Sequence, residues 1–556
     1  MESGPEPLSL QSKFAEMDNR LAWRKAYRRI LFLGLAFMVL LAIFSARVAL
    51  AASSYAVSCE SLTTLTLPHT TITLAQQVPA GSFTPPAPAI NPPPSPPKPL
   101  EDLPAFCRVA VAARPVADSE IKFEVWMPAA NWNGKFVGVG NGGWAGTISY
   151  SSMAGALRQG YAAASTNTGH DGSSTDAGFA AGHPEKLVDF AYRAVHEMTV
   201  QAKAITAAYY GSGPRLAYWN GCSTGGRQAL MEAQRFPQDY NGIAAGAPAN
   251  YWSHLRFGSM WPATADLIDP ASYIPPSKYP VINRAALAAC DALDGVADGI
   301  ISDPMRCHFD PRTITCKGAD ADDCLTAPQA EAARKIYAGP KNPRTGQQIF
   351  PGLEPGTELG WKTEAGGPEP YELGMSYFRL VLFKDPHWDF RKLDYDRDVA
   401  LVDRTHGGLM NAIDPNLSPF QKSGGKLLLY HGWIDDHIAP RESVNYYNSV
   451  LGAMGGKAHT DSFFRLFMVP GMGHCGGGPG PSTFDRVGVL EQWVEHGVAP
   501  DRIVAARSQK DLPAMTRPLC PYPQVARWKG MGSTDDAANF ACVNAGSLSP
   551  AAKTTP

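Results

Sequence analysis

One short segment of the chain combines a potential nucleophile with the small residues that a sharp turn requires. Residues 221–225 are Gly-Cys-Ser-Thr-Gly, which fits the pattern G-x-S-x-G. The segment Leu216–Trp219 before it is typical of a strand, and Gly225–Arg235 after it is typical of a helix. Such a turn lifts a serine hydroxyl clear of a sheet and directs helix amides at developing negative charge. We therefore predict Ser223 as the nucleophile of acyl transfer. Cys222 is the weaker alternative, because an exported thiol would be oxidised.

Two loops further along the chain offer a base and an acid for this serine. Each follows a predicted strand: His-Gly-Trp-Ile-Asp-Asp-His (431–437) follows Lys426–Tyr430, and Pro-Gly-Met-Gly-His-Cys (470–475) follows Phe464–Val469. A serine nucleophile needs a base within hydrogen-bond reach and a carboxylate that fixes the imidazole tautomer. In α/β-hydrolases these residues follow in the order Ser, Asp, His. We assign His474 as the base and Asp435, in preference to Asp436, as the acid.

The cysteines support the same arrangement. All ten lie beyond residue 52, and their number is even, so we predict five disulfides in an exported protein. Cys222 precedes Ser223, and Cys475 follows His474. If the serine and the histidine meet, the Cα atoms of these two cysteines come within the roughly 7 Å that a bridge requires. A bridge at this place would clamp the two catalytic loops together.

The N-terminus has the pattern of an export signal. Arg24, Lys25, Arg28 and Arg29 precede an apolar run over 30–44, and Ala49-Leu50-Ala51 supplies small residues for cleavage. We assign 1–52 as a signal peptide or signal anchor and favour the cleaved form, because the apolar run is short for a membrane span. The sequence thus predicts a secreted or periplasmic protein, associated with a membrane only if this leader remains uncleaved.

Composition and patterning place the chain in the α/β class. The 556 residues have a formal net charge of −2, which gives no electrostatic footprint for nucleic acid. Predicted strands alternate with helical stretches, including a helix over about 184–209, and this alternation favours a mostly parallel sheet. Residues 250–415 lack the alternation and are rich in Pro and Gly. We interpret them as an inserted lid domain between two parts of one sheet domain, 53–249 and 416–556.

Several longer motifs resemble those of the tannase and feruloyl esterase family, which also includes the hydrolase of mono(2-hydroxyethyl) terephthalate. They are GCSTGG (221–226) with the following RQALMEAQRFPQDYNGIAAGAPA, YHGWID (430–435) and PGMGHC (470–475). The resemblance extends from about Cys59 to Cys542. It implies an α/β-hydrolase fold with a large inserted lid domain and the same triad that the residues predict. It also implies an oxyanion hole formed by the backbone N–H groups of Gly143 and Thr224.

The same resemblance implies further bridges and a metal site. The implied disulfide pairs are Cys59–Cys107, Cys222–Cys475, Cys290–Cys307, Cys316–Cys324 and Cys520–Cys542. The implied calcium ligands, in the segment CDALDGVADGI, are the carboxylates of Asp291, Asp294 and Asp298 with the carbonyls of Val296 and Ile300. Closely spaced carboxylates around Gly295 and Gly299 agree with a tight loop of hard oxygen ligands, although a solvated acidic turn has the same composition. We expect Ca²⁺ to be structural and expect no organic cofactor.

The sequence therefore predicts a secreted serine esterase that hydrolyses feruloyl, galloyl or related esters of aromatic acids through an acyl-enzyme. His431 is a further candidate for substrate binding, and aromatic residues of the lid, Trp252, Trp261, Phe378, Phe383 and Trp388, are candidates for contact with a planar acyl group. One alternative is hydrolysis of mono(2-hydroxyethyl) terephthalate. A second alternative is an amidase or peptidase, because the triad does not dictate the leaving group. A third is a non-catalytic binding protein on the same scaffold.

Overall fold

A computed structural model describes residues 56–87, 96–507, 509 and 511–545. The predicted leader, residues 1–52, lies outside the described residues, as does the middle of the proline-rich segment at 84–99. From Val57 onward the chain forms one compact unit. Among the described residues, no helix has both the length and the apolar character needed to cross a membrane.

A nine-stranded mixed sheet is the centre of the molecule. Its strands are β1 (Thr70–Val78), β2 (Phe106–Ala113), β3 (Ile121–Pro128), β4 (Lys135–Val139), β5 (Ala162–Thr166), β6 (Leu216–Cys222), β7 (Gly242–Gly246), β8 (Lys426–Gly432) and β9 (Phe464–Val469). The spatial order is β1-β2-β3-β5-β4-β6-β7-β8-β9. Strands β1, β2, β3 and β5 pair antiparallel, and β5, β4, β6, β7, β8 and β9 pair parallel. The predicted α/β class is confirmed.

Helices connect the parallel strands, as parallel pairing requires. Those of eight or more residues are α1 (Tyr150–Arg158), α2 (Ala194–Tyr210), α3 (Thr224–Arg235), α4 (Trp252–Leu267), α5 (Tyr279–Cys290), α6 (Ala327–Ala338), α7 (Arg441–Ala453) and α8 (Arg486–His496). Shorter helices are Pro184–Val188, Lys362–Ala365, Glu372–Ser376, Arg397–Val402, Gly408–Met410, Ser418–Lys422 and Lys457–Thr460. Leu157 of α1 and Trp493 of α8 are buried in one cluster with Tyr218 and Leu428 of the sheet, so these two helices cover part of its core.

The long connection between β7 and β8 corresponds to the predicted lid. It contains α4, α5 and α6. The aromatic core of the insertion includes Trp252, Phe257, Tyr377, Phe378 and Trp388, and Trp144 and Phe190 from outside the insertion pack into the same cluster. The domain boundaries at 250 and 415 stay a prediction, since the insertion belongs to the same compact unit as the sheet.

Two small sheets follow β9 and complete the C-terminal part. One has the order β10 (Pro481–Thr483), β11 (Ile503–Arg507) and β12 (Thr516–Leu519), and the other pairs β13 (Gln524–Trp528) with β14 (Phe540–Asn544). Both are antiparallel. Because β6, β8 and β9 run parallel, the loops that follow them leave the same edge of the large sheet, where the candidate residues collect.

Candidate active site

Ser223 lies in the turn between β6 and α3 with a strained backbone. Its φ and ψ are 64° and −122°, a conformation that is rare for a residue with a side chain. Small neighbours permit this turn: a Cβ atom at Gly221 would come within 2.4 Å of the Gly225 carbonyl oxygen. The Ser223 amide donates to the Gly246 carbonyl oxygen at 3.0 Å, which ties the turn to β7. The sharp turn predicted from the sequence is therefore present.

The three predicted triad residues form one chain of hydrogen bonds. His474 Nε2 is 2.9 Å from Ser223 Oγ, and His474 Nδ1 is 2.7 Å from Asp435 Oδ2. The hydroxyl donates to Nε2 when Nδ1–H donates to the carboxylate, which is the tautomer that a general base requires. Among the described contacts, His474 pairs with Asp435 and not with Asp436. The structure thus brings together side chains that are 251 and 39 residues apart.

Asp435 is fully buried and held as an anion by its surroundings. Its Oδ1 accepts hydrogen bonds from the backbone amides of His437 and Ile438, both at 2.9 Å, and its Oδ2 also accepts from His431 Nε2 at 3.0 Å. Burial opposes ionisation, but the two histidines outweigh it and hold the pKa of Asp435 well below its usual range. The carboxylate can therefore orient His474 and stabilise its protonated form.

The structure does not place His431, predicted to bind substrate, in the wall of the cavity at Ser223. Its side chain is 0% exposed and lies behind Asp435, where Nδ1 contacts Ser443 Oγ at 2.7 Å and Nε2 contacts Asp435 and the Ile438 carbonyl oxygen. It does not line the cavity at Ser223. His431 belongs to strand β8 itself and not to the loop beyond it, so its side chain packs inside the fold.

All five expected disulfides are present, and no described cysteine is free. Cys222 and Cys475, with Cα atoms 5.8 Å apart, join the turn that contains Ser223 to the loop that contains His474. The bridge Cys59–Cys107 closes the segment that includes the proline-rich stretch. The bridge beside Ser223 and His474 restricts the separation of two loops that are far apart in sequence.

Gly143 and Thr224, the predicted oxyanion-hole residues, lie beside Ser223 in the wall of one cavity. Thr224 Oγ1 donates to the Gly143 carbonyl oxygen at 2.7 Å, which fixes the two residues relative to each other. Only glycine fits at position 143, because φ is +55° and a Cβ atom would lie 2.2 Å from the Ser174 carbonyl oxygen. Among the described hydrogen bonds, neither backbone amide has an acceptor, so both can donate to a ligand.

The cavity at Ser223 has a volume of about 320 Å³ and a mixed apolar and polar wall. Aromatic and aliphatic surface comes from Trp144, Trp252, Leu255, Leu373 and Ile438. Of the lid aromatics considered from the sequence, Trp252 lines the cavity, whereas Trp261, Phe378, Phe383 and Trp388 pack into the aromatic core of the insertion. Trp144 was not predicted, because only the tertiary fold brings the β4–α1 loop to the serine.

Charged residues that the sequence did not single out form another part of this wall. They are Arg256 of α4, Glu364 and His437, with Tyr371 beside them. Glu364 Oε1 lies 2.7 Å from His437 Nδ1, and this contact outweighs burial and raises the pKa of His437 to about 9. The His437 ring also meets the His474 ring edge-on, with centroids 5.0 Å apart. His437 lies in the loop after the predicted strand Lys426–Tyr430, so its position near the site could have been inferred from the sequence. Nothing in the sequence around Arg256 or Glu364 indicates that they line this cavity.

The loop predicted to bind calcium is a compact turn of carboxylates after α5. Asp291 accepts hydrogen bonds from the amides of Gly299 at 2.9 Å and Ile300 at 3.2 Å. Asp294 accepts from the Val296 amide at 2.9 Å and is also contacted by Ser302. Burial raises the pKa of both carboxyl groups above the usual value. Buried carboxylates of this kind gain from a nearby cation, so the donor set fits a hard divalent ion.

Asp298, the third carboxylate of this loop, forms an ion pair with Arg517 at 2.7 Å. It does not form a tight three-carboxylate cluster with the other two, because the only described group with three ligand atoms within 4.8 Å is His196, Glu232 and Asp239. Ligation of one ion by all three aspartates therefore requires their carboxylate oxygens to come closer together. The residues have the chemistry of a calcium site, and occupancy stays a prediction.

Comparison with known proteins agrees with this geometry. Residues 107–543 match the family model described as tannase and feruloyl esterase. An uncharacterised esterase of Xanthomonas campestris pv. campestris is 43% identical, over 89% of this chain and 92% of its own length. A probable feruloyl esterase B-2 of Aspergillus terreus is 36% identical, over 79% and 86% of the two chains.

Solved structures show the same fold. The crystal structure of feruloyl esterase B from Aspergillus oryzae has a TM-score of 0.81 and 31% identity, covering 87% of this chain and 99% of that one. The tannin acyl hydrolase from Aspergillus niger has a TM-score of 0.72 and 25% identity, covering 86% and 92%. Fold and family together define a carboxylic ester hydrolase with an α/β-hydrolase fold. The chain belongs to the tannase and feruloyl esterase family.

Proposed function

We propose that this protein hydrolyses carboxylic esters through a serine-linked acyl-enzyme, with Ser223 as nucleophile, His474 as base and Asp435 as the acid that orients it. The continuous hydrogen-bond path from Ser223 Oγ through His474 to Asp435 is the observation on which the proposal rests. His474 Nε2 accepts the proton as Ser223 Oγ attacks the ester carbonyl carbon. The C–O bond to the alcohol then breaks, and the same proton passes from His474 to the leaving oxygen.

The amides of Gly143 and Thr224 hold the carbonyl oxygen while it is negatively charged. Both line the cavity beside Ser223, and Thr224 begins helix α3, so the N-terminal end of the helix dipole adds to the stabilisation. Loss of one such donor typically costs about 3–4 kcal/mol of transition-state stabilisation. A water molecule, deprotonated by His474, then attacks the acyl carbon and releases the acid from Ser223.

The proposed substrates are esters of aromatic acids, of feruloyl, galloyl or related phenolic type. The indole walls of Trp144 and Trp252 offer flat apolar surface beside the serine, and relatives are named as feruloyl esterases and a tannin acyl hydrolase. Hydrolysis of mono(2-hydroxyethyl) terephthalate is the second candidate, because it too presents a planar aromatic acyl group. Neither nucleic acid nor a protein partner enters this proposal.

Export and a structural calcium ion belong to the same proposal. Five disulfides are typical of an oxidising compartment, which agrees with a secreted or periplasmic protein.

Asp291, Asp294 and Asp298, with the carbonyls of Val296 and Ile300, would hold Ca²⁺ in the loop after α5. The ion would neutralise buried carboxylates and order the loop, with no part in the bond-making steps.

A panel of substrates tests the proposal. Methyl ferulate, methyl gallate and mono(2-hydroxyethyl) terephthalate are compared with a matched feruloyl anilide, using Ser223→Ala as the inactive control. We expect release of at least one aromatic acid from an ester, with the anilide much slower. Faster cleavage of the anilide would indicate an amidase or peptidase. Equal turnover by the wild type and Ser223→Ala would remove the proposed nucleophile.

A further inference from the structure

Three side chains with metal-ligand chemistry meet at the end of α3 that lies away from Ser223. They are His196 of α2, Glu232 of α3 and Asp239 of the loop before β7, and one ligand atom from each lies within 4.8 Å of the others. His196 Nδ1 is 2.7 Å from Asp239 Oδ2. At a rise of about 1.5 Å per residue, Glu232 lies about 12 Å along the helix axis from Thr224. The His196–Glu232–Asp239 cluster does not line the catalytic cavity.

Glu232 is the buried member of this cluster, and its carboxyl group has no donor. Only 1% of its surface is exposed, and neither of its side-chain oxygens has a hydrogen-bond partner among the described residues. Burial and the neighbouring carboxylate of Asp239 raise the pKa of Glu232 well above its usual value. A buried carboxyl group without a donor is costly to the folded state, so Glu232 needs either a proton or a cation beside it.

Lys203 is the cation whose field acts on Glu232, but its ammonium group is engaged elsewhere. It donates to the backbone carbonyl oxygen of Asp239 and lies 5.3 Å from the centroid of the Tyr240 ring. The one ion pair described for the cluster is that between His196 and Asp239. With a single ammonium group beside two ionised carboxylates, the cluster has a net negative charge that a divalent cation would offset.

The other two side chains are reachable from solvent and are held in position. The His196 side chain is 31% exposed and that of Asp239 is 14% exposed. The His196 ring stacks on Phe236, with centroids 3.8 Å apart and 9° between the planes. The Asp239 amide donates to the Phe236 carbonyl oxygen at 2.9 Å. An ion can therefore enter from the surface, and water can complete its coordination.

We propose that His196, Glu232 and Asp239 bind a divalent transition-metal ion, with Zn²⁺ as the ion to test. One imidazole and two carboxylates suit Zn²⁺, whereas Ca²⁺ takes oxygen ligands, so this site differs from the acidic loop after α5. Tetrahedral ligands at about 2.0–2.1 Å from zinc lie about 3.4 Å apart, so the most distant ligand atoms close by at most about 1.5 Å. The ion would join α2, α3 and the loop before β7 and take no part in ester cleavage.

Zinc binding is measured on the full protein after transition metals have been removed and in excess Ca²⁺, so that the acidic loop does not contribute. All thermal measurements on this protein start from the zinc-free state. Competition with a chromophoric zinc chelator gives the stoichiometry and the Kd. We expect one Zn²⁺ per chain at this site and a Tm higher by about 2–5 °C at about a hundredfold excess over Kd. Absence of zinc binding in the wild type would overturn the site and leave a proton shared between Glu232 and Asp239.

Two ligand variants and one control connect zinc binding to the cluster. Glu232→Gln keeps the shape and removes the buried charge, so its zinc-free Tm should equal or exceed that of the wild type. It should bind Zn²⁺ at least about 10-fold more weakly, since even partners of metal ligands contribute that much. His196→Gln should weaken binding in the same way. His183→Gln is the matched control, because His183 pairs with Asp118 at 3.0 Å and the described residues supply no third ligand there. It should bind like the wild type.

Co²⁺ provides a readout of the ligands themselves. A four-coordinate Co²⁺ ion absorbs visible light, and we expect that absorption at one equivalent in the wild type and in His183→Gln. It should be lost in Glu232→Gln and His196→Gln. Metal binding that persists unchanged in both ligand variants would place the ion elsewhere and overturn the assignment. None of these measurements uses ester turnover, so their outcome is independent of the proposed activity at Ser223.

Discussion

At the scale of single residues, the site depends on the hydrogen bonds that hold the carboxylate of Asp435 in place. Asp435 accepts hydrogen bonds from His474, His431 and two backbone amides, and it has no exposed surface. A hydrogen-bonded network of this kind fixes both the position and the charge of its members. His431, which the sequence suggested as a substrate contact, lies behind Asp435 and donates to its carboxylate, where it can fix the position of that carboxylate.

We predict that replacing His431 lowers turnover without changing substrate affinity. In His431→Phe, Asp435 loses one donor, so its Oδ2 is held less firmly in position for His474. Hydrogen bonds to charged groups contribute about 1.5–3 kcal/mol, so kcat should fall by about 10- to 100-fold with KM nearly constant. His431→Gln keeps an N–H donor and should recover part of the loss. A rise in KM at constant kcat would favour substrate contact after all.

The ion pair of His437 and Glu364 predicts a loss of stability at alkaline pH. The pKa of His437 rises from 6.5 to about 9 in the folded protein, so its stabilising contribution is complete below 6.5 and is lost as pH rises through about 9. The Tm of the wild type should therefore fall between about pH 7 and pH 10. His437→Gln should show a flatter profile over the same range. Parallel profiles for the two proteins would show that the pair contributes nothing to folding.

At the scale of secondary-structure elements, the sequence predicted those that hold the site better than those that surround it. The strand Phe464–Val469 occurs with the predicted bounds, and the helix after Ser223 begins one residue early, at Thr224. The helix predicted over about 184–209 is interrupted by a π-helical stretch at Asp189–Arg193. Hydrophobic periodicity identifies helices and strands but does not report such local changes of hydrogen bonding.

Strands made of small residues were not predicted. β5 is Ala-Ala-Ala-Ser-Thr and β7 is Gly-Ile-Ala-Ala-Gly, and every residue in both is buried. Alanine and glycine have little intrinsic strand preference, and strands buried on both faces show no alternation. β1 was missed for the opposite reason, because it is an edge strand with few buried side chains. The strand conformation of β1, β5 and β7 therefore depends on tertiary packing and not on a local sequence pattern.

The bridge between the two catalytic loops should affect both stability and turnover. Cys222 and Cys475 are 253 residues apart, and closing a loop of that length is worth about 5 kcal/mol in the chain-entropy model. We expect Cys222→Ala/Cys475→Ala to lower both Tm and kcat, because the Ser223 and His474 loops are no longer held together.

The short bridge of the insertion provides the control. Cys316 and Cys324 are only 8 residues apart, which corresponds to about 2–3 kcal/mol. Cys316→Ala/Cys324→Ala should therefore lower Tm less and leave kcat unchanged. Equal losses of kcat in the two double variants would mean that the bridge at the active site has no special role in positioning.

At the scale of the whole molecule, residues from distant segments meet in two places. The catalytic wall combines the sheet loops with Arg256 and Glu364 of the insertion, and the acidic loop joins the insertion to the C-terminal sheets through Asp298 and Arg517. The triad could be predicted because its members follow strand ends with recognisable motifs. The charged residues of the cavity wall could not be predicted, because no local sequence pattern shows which residues of the insertion will lie next to Ser223.

Calcium removal should loosen the junction between the insertion and the C-terminal part. Val296 of the acidic loop packs with Cys520, Ala526 and Phe540, so disorder in the loop exposes that cluster. We expect a chelator to lower the Tm of the wild type. The variant Asp294→Asn should have a lower Tm than the wild type, and the chelator should not lower it further. Asp303→Asn, a helix-capping position outside the proposed ligand set, should respond like the wild type. A chelator without effect on the wild type would contradict the proposed ion.

Covalent labelling of the nucleophile tests the central claim most directly. The protein is treated with a serine-reactive aryl phosphonate, and the modified peptide is identified by mass spectrometry alongside residual ester hydrolysis. We predict a single adduct on Ser223, formed in proportion to the loss of activity and much more slowly in His474→Ala. Complete inactivation with the label on another residue, or full activity after Ser223 is labelled, would contradict the account.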